Sequence, residues 1–363
     1  MQVLTTSRPG LLPARLALRP ALQTRRPLRV AASSSIPSRP SGGSSRTPPG
    51  SGTPPSEPVT NGASAAAAAA PAAPLAAAAA APSTGPQLVT VSGPVTVSSV
   101  LPPAAVYEAA ANLGAYKAAT PFWKLVLLGW LAGCYVALGA ALLLMVGPNC
   151  GGIASTNPGL AKYITGAIGF PYALLIILSC GSELFTGNTA VVTAALYEGK
   201  ATFKQLIKSW TASYLGNILG CAFGTFLILN SGLTPMLQNG INAISVTKVS
   251  YPLSQAFVRA LMANWFVCLA VWQYLSAQSF GGKFIACLGP ISAFVCIGVE
   301  HCIANMVFVP LGILTGVSGV TWSAFIFRNL IPVTIGNIIA GAGFVATSYS
   351  LAYGSLGKKV FGK

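Results

Sequence analysis

Residues 181–188 read GSELFTGN, and 117 positions later residues 298–306 read GVEHCIANM. Each stretch sets a glycine, a glutamate two residues on and an asparagine five beyond that, and each interrupts a long apolar run. No residue is charged from 163 to 182 or from 184 to 197, and between 284 and 327 the only ionisable groups besides Cys and Tyr are Glu300 and His301. Polar, glycine-bearing backbone is tolerated at membrane depth only where it lines a cavity or is buried in protein. The two stretches therefore predict two broken transmembrane helices.

Composition supports a membrane setting. The 363 residues are 53% hydrophobic and only 7% charged, with mean hydropathy +0.67, whereas a soluble domain carries about a quarter charged residues. The net charge of +16 comes from 21 basic residues, but they are thinned through an oily chain and form no nucleic-acid-binding patch. Asp is absent, the acids are Glu57, Glu108, Glu183, Glu198 and Glu300, and His301 is the single histidine. The eight cysteines contain no C-x-x-C pair, so neither a zinc site nor a disulfide framework is expected, and no cofactor is implied.

Charge-free stretches continue at 125–161, 209–247, 260–282 and 329–357. A span needs about 20 apolar residues to cross about 30 Å of hydrocarbon. With turns at Asn149–Pro158, Asn230–Pro235 and Thr315–Trp322, six spans are expected near 122–147, 161–197, 204–230, 254–279, 283–316 and 325–354. The second is 37 residues, roughly 55 Å if fully helical, and the fifth is nearly as long; these hold the two breaks. Nine lysines, Lys117 among them, fall on the side of both termini, against Lys162, Lys248, Arg259 and Arg328 on the other. That bias orients the chain with its termini on the positive side.

The domain division expected is a transit peptide at 1–32, a linker at 33–104, a six-span domain at 105–357 and a basic tail at 358–363. The first 56 residues hold eight arginines, no lysine and no acid, the signature of an organelle transit peptide. Val30-Ala31-Ala32 suits plastid processing. The linker is rich in Ala, Pro, Ser and Gly and cannot bury a core.

The two halves match. Phe122, Lys124 and Trp130 return as Phe257, Arg259 and Trp265, 135 residues on; Glu183 and Asn188 return as Glu300 and Asn305, 117 on; Gly216-Asn217 returns as Gly336-Asn337, 120 on. A three-span unit crosses an odd number of times, so its copy is inverted, and inverted repeats with discontinuous helices place a substrate path at the repeat interface. The fold class is thus all-α, with six transmembrane helices in two inverted repeats and helices two and five broken.

Few groups remain to carry chemistry. His301, ionisable within a span, is a functional candidate by default; its bland reading is a packing element held by Glu300. Glu183 and Glu300 are expected to satisfy orphan backbone N–H groups at the breaks, with substrate binding as the alternative. Thr186, Asn188 and Asn305 offer small polar groups in the same loops. Asn217, Asn264 and Asn337 read equally as interhelical hydrogen-bonding amides or as pore lining. Lys248, in the connection before span four, is a cation able to draw anions.

CGSELFTGN at 180–188, NWFVCLAVW at 264–272, EHCIANM at 300–306 and NLIPVTIGN at 329–337 together resemble the formate/nitrite transporter family over residues 105–354. The resemblance implies an aquaporin-like fold assembled as homopentamers with one pore per protomer. It implies that His301 is the central histidine, that Thr186 lies on the loop breaking the second helix, that Lys248 is the outer-vestibule lysine, and that Asn264 and Asn337 flank the histidine. It assigns apolar constrictions to Phe170, Leu174, Leu184, Phe185 and Phe294. The loop reads TGN after Phe185, where formate channels read TST, and Glu183 stands where many carry Asp. With a plastid leader, the chain is similar to algal members that bring nitrite into the chloroplast, with protons as co-substrate and the inner envelope as location.

The sequence leaves formate or bicarbonate open as substrates. A neutral-solute pore would share the repeat, but the chain has no N-P-A motif. An enzyme using His301 and Cys302 is disfavoured, because adjacent helical residues point about 100° apart.

Overall fold

A computed structural model describes residues 98–362; the expected transit peptide and nearly all of the expected linker lie outside the described residues. Apart from one antiparallel bridge between Val100 and Ala277, the described residues are helical and irregular. Helix α1 (Pro103–Ala119) precedes α2 (Phe122–Val146), then a 3₁₀ turn and the short α3 (Gly151–Thr156), which fill the first expected turn. The second span is α4 (Pro158–Ala167), α5 (Phe170–Ser179) and, past the break, α6 (Phe185–Tyr197). It bends at Gly169, whose φ of 99° no other residue takes easily. Helix α7 (Phe203–Asn230) follows, then α8 (Thr234–Ser250) and α9 (Leu253–Ser276). The fifth span is α10 (Phe280–Cys296) and α11 (Cys302–Leu314), both shorter than a typical span of about 20 residues. The last runs from Ala324 to Tyr353 through α12 (Ile331–Ile338) and α13 (Thr347–Tyr353), with π-helical turns at Ala324–Leu330 and Ile339–Ala346, and α14 (Ser355–Phe361) closes the chain.

Local chemistry explains the starts. Thr202 and Gln205 form a reciprocal capping box at α7, satisfying two N–H groups that the first turn leaves open. Ser279 caps α10 and Asn157 caps α4. In α2 and α7, Gly129, Gly133, Gly216 and Gly220 let the backbones touch; a Cβ at Gly133 or Gly220 would run into the other helix's main chain. Small residues at such crossings are how membrane helices gain close packing without a hydrophobic driving force.

Helices α1 and α8 were not anticipated, and their place completes the repeat. Each has 17 residues, each carries a lysine two residues before its end, and each is followed by a proline capping the next span, Pro121 or Pro252. The half-helices α6 and α11 have 13 residues each. The hydrogen bonds set the register: Glu183 N–H reaches Leu128 O while Glu300 N–H reaches Arg259 O, and Asn217 reaches Gly129 O while Asn337 reaches Ala260 O. The first segments are therefore offset by 131 residues. The offset of 135 drawn from Phe122, Lys124 and Trp130 is one helical turn out, because an aromatic pattern on a lipid-facing helix repeats at nearly the same spacing from turn to turn. The offsets of 117 and 120 hold.

Both ends of the described chain meet on one side, as six crossings require. Gln278 N–H donates to Ser99 O, the Tyr107 hydroxyl to Glu198, and Ser355 N–H to Glu198 as well.

Candidate functional site

The breaks are built alike. Gly181 and Gly298 turn the chain at φ 71° and 70°. The first N–H of each half-helix is taken by an asparagine from the following repeat segment: Phe185 N–H by Asn217 Oδ1 and Cys302 N–H by Asn337 Oδ1, both at 2.9 Å. The same amides donate back to Glu183 O and Glu300 O. The asparagines, not the glutamates, thus satisfy the orphan donors, which corrects the role expected of Glu183 and Glu300. Their carboxylates instead accept from Asn188 at 2.7 Å and Asn305 at 2.8 Å. Each is paired with a lysine at 2.8 Å: buried Lys117 with Glu183 and half-buried Lys248 with Glu300.

Two expectations about cations change accordingly. Lys117, counted in the sequence only as a topology charge, is 9% exposed. Lys248 is in the last turn of α8 rather than in a loop, and it is engaged by Glu300 and by Val299 O at 2.9 Å. Sequence reasoning missed Lys117 as a site residue, and also Asn329, which donates to Glu300 at 2.9 Å and to Lys248 O. The 131-residue spacing between Lys117 and Lys248 was the available signal.

His301 is the N-cap of α11. Its Nδ1 accepts from Ala304 N–H at 3.1 Å, and its Nε2 lies 2.9 Å from the Thr186 hydroxyl. In neutral imidazole the nitrogen that accepts leaves the proton on the other, so Nε2–H donates to Thr186 and the threonine's own hydrogen is free to turn elsewhere. Asn264 lies behind this pair, fully buried, donating to Thr186 O, Thr189 and Asn337 O. Asn264 and Asn337 thus hold helices together and line none of the cavities along the path.

Three cavities follow one another. A vestibule of about 470 Å³ is bordered by Lys162, Lys248, Arg259, Phe170, Phe294 and His301. It shares Phe170, Phe294 and His301 with a chamber of about 30 Å³, which has room for about one small molecule. The chamber shares Leu174 and Leu184 with a cavity of about 20 Å³ reaching Lys117 and Asn188. Most of the chamber walls come in repeat-related pairs: Val136 with Val267, Leu174 with Ile291, Ile177 with Phe294, and Leu184 with His301. The chamber therefore sits on the pseudo-two-fold axis, and its one polar member breaks the symmetry. Four of the five expected constriction residues border it. Phe185 does not: its ring packs 4.8 Å from Tyr214 and faces a separate groove between α7 and α12. As the first residue of α6, it turns away from Leu184.

An inverted repeat with two broken helices, enclosing an apolar chamber with one histidine, defines a membrane transport path. The family profile described as Formate/nitrite transporter matches residues 104–351. A probable formate transporter of Methanothermobacter thermautotrophicus is 39% identical over 275 residues, covering 70% of this chain and 98% of the relative. The formate channel FocA of Escherichia coli (strain K12) is 34% identical, covering 70% and 95%, and the nitrite transporter NirC of the same strain is 33% identical, covering 60% and 80%. Among solved structures, an FNT family ion channel aligns with TM-score 0.62 at 28% identity, covering 68% of this chain and 98% of that one. A pentameric formate channel with formate bound aligns with TM-score 0.56 at 31% identity, covering 64% and 97%. The chain belongs to the formate/nitrite transporter family, and so to transport proteins rather than enzymes.

Proposed function

We propose that this protein carries nitrite, with a proton, across the chloroplast inner envelope into the stroma, as a homopentamer with one pore per protomer. The carrying observation is His301 in the wall of an apolar chamber between the Phe170–Phe294 and Leu174–Leu184 narrows, its ring fixed from behind by Thr186. An unpaired charge crossing such a dry passage costs several kcal/mol or more. A hydrogen bond or a proton given to the anion at the chamber removes most of that cost. Thr186 fixes the ring through Nε2, so that His301 is the polar group the chamber presents to the substrate. The arginine-rich, acid-free N-terminal segment supports the plastid location, and the pentameric formate channel among the structural neighbours supports the assembly.

Formate is the second reading, favoured by the names of the relatives that match at 39% and 34% identity. Proteoliposome uptake of nitrite, formate and bicarbonate at two pH values separates the readings. Faster nitrite uptake at the lower pH is the expected result; formate uptake well above nitrite at both pH values favours the second reading.

A further inference from the structure

The two mouths of the path are not equivalent, and the register of the repeat shows where they differ. Lys248 and Lys117 are counterparts, and each is neutralised by its glutamate at 2.8 Å. The vestibule's other two cations have uncharged counterparts: Arg259 corresponds to Leu128 at an offset of 131, and Lys162 to Ser279 at 117. Among the described residues neither Arg259 nor Lys162 forms an ion pair. The vestibule's uncompensated charge is therefore theirs and not that of Lys248.

Arg259 is held in place without being used up. One Nη1–H donates to Gly298 O at 2.7 Å, next to the Val299 carbonyl that Lys248 holds, and the guanidinium lies 4.3 Å over the Tyr251 ring. Both Arg259 and Tyr251 border the vestibule. A guanidinium has five donors in a planar fork, so most of this one's donors remain. A carbonyl on one edge and an aromatic face beneath pre-orient it at little further entropic cost.

We propose that Arg259 is the anion-capture residue of this vestibule, taking a planar two-oxygen anion by its fork, with Lys162 adding attraction. The assignment rests on the transport reading above and gives its entry step a residue. A planar fork fits nitrite or formate oxygens in pairs and gives a spherical halide no such advantage. The captured anion then lies one short step from Phe294 and His301, which border the same cavity.

The test is concentration-dependent nitrite uptake by full-length protein in liposomes, with Arg259→Gln, Arg259→Lys and Lys162→Gln. Gln keeps a donor for Gly298 O but loses the charge and the fork. Half-saturating nitrite is expected to rise about tenfold in R259Q, with saturated flux falling less than twofold, and to rise less in R259K and K162Q. Chloride is expected to compete weakly with nitrite in wild type, and R259K to lose that discrimination. Arg259 also borders a surface groove with Ser254, Gln255 and Met262. A variant that loses its oligomer on size exclusion, or that loses saturated flux with half-saturation unchanged, makes Arg259 a structural residue and overturns the proposal. Wild-type liposomes that carry neither nitrite nor formate overturn the transport reading and this inference with it.

Discussion

Lys117 and Lys248 show how little a charge count says about where a charge is spent. Each lysine is paired with a buried carboxylate at 2.8 Å, and where both partners are buried, as in Lys117–Glu183, removing one strands the other charge, at a cost of about 3–5 kcal/mol. Lys117→Met is therefore expected to lower the melting temperature of the detergent-solubilised protein sharply. The double variant Lys117→Met with Glu183→Gln is expected to recover most of the loss, because a neutral amide replaces the stranded charge. Equal melting of single and double variants would show that the pair contributes no coupling. His301 stood out in the sequence because it is the single histidine, but its fixed orientation could not be read there. That orientation depends on Ala304 N–H at one nitrogen and Thr186, 115 residues away, at the other.

The broken helices are the element on which the fold depends, and they were legible because a membrane forbids unpaired backbone. Polar GSELFTGN and GVEHCIANM in apolar runs had no other reading. What closes them was not legible. The amides of Asn217 and Asn337 each make three hydrogen bonds that bind a break to the preceding span, and nothing in one sequence distinguishes such an amide from one lining a pore. Asn217→Leu and Asn337→Leu are each expected to destabilise the protein by more than about 3 kcal/mol, and to a similar degree, since the two are repeat equivalents. Thermal melting in detergent measures both; a large effect in one half only would contradict the register. Helices α1 and α8 escaped notice because neither is apolar or long enough to read as a span, and their kinship rests on spacing alone.

At the scale of the whole molecule, the tail is tied to the membrane domain through Glu198. Burial pushes its carboxyl up, but Ser355 N–H, Tyr107 and Ser350 donate to the charged form and together hold it below the usual carboxylate range. A carboxylate lowered in the folded state stabilises fully above its unfolded pKa, about 4.3, and that contribution is lost as pH falls through the lower folded value. Wild type is expected to lose melting temperature below about pH 4 relative to Glu198→Gln, whose tail contact does not titrate. Parallel pH profiles would show that the tie contributes nothing.

The same scale carries the inverted repeat, in which matched walls frame a chamber that differs chiefly at Leu184 and His301. The claim that this difference converts a dry pore into a proton-linked anion path is tested most directly by nitrite flux in liposomes across an imposed pH gradient, wild type against His301→Phe. The expected result is that the variant keeps its oligomer but loses pH-dependent nitrite flux. Undiminished proton-coupled flux through His301→Phe would contradict it.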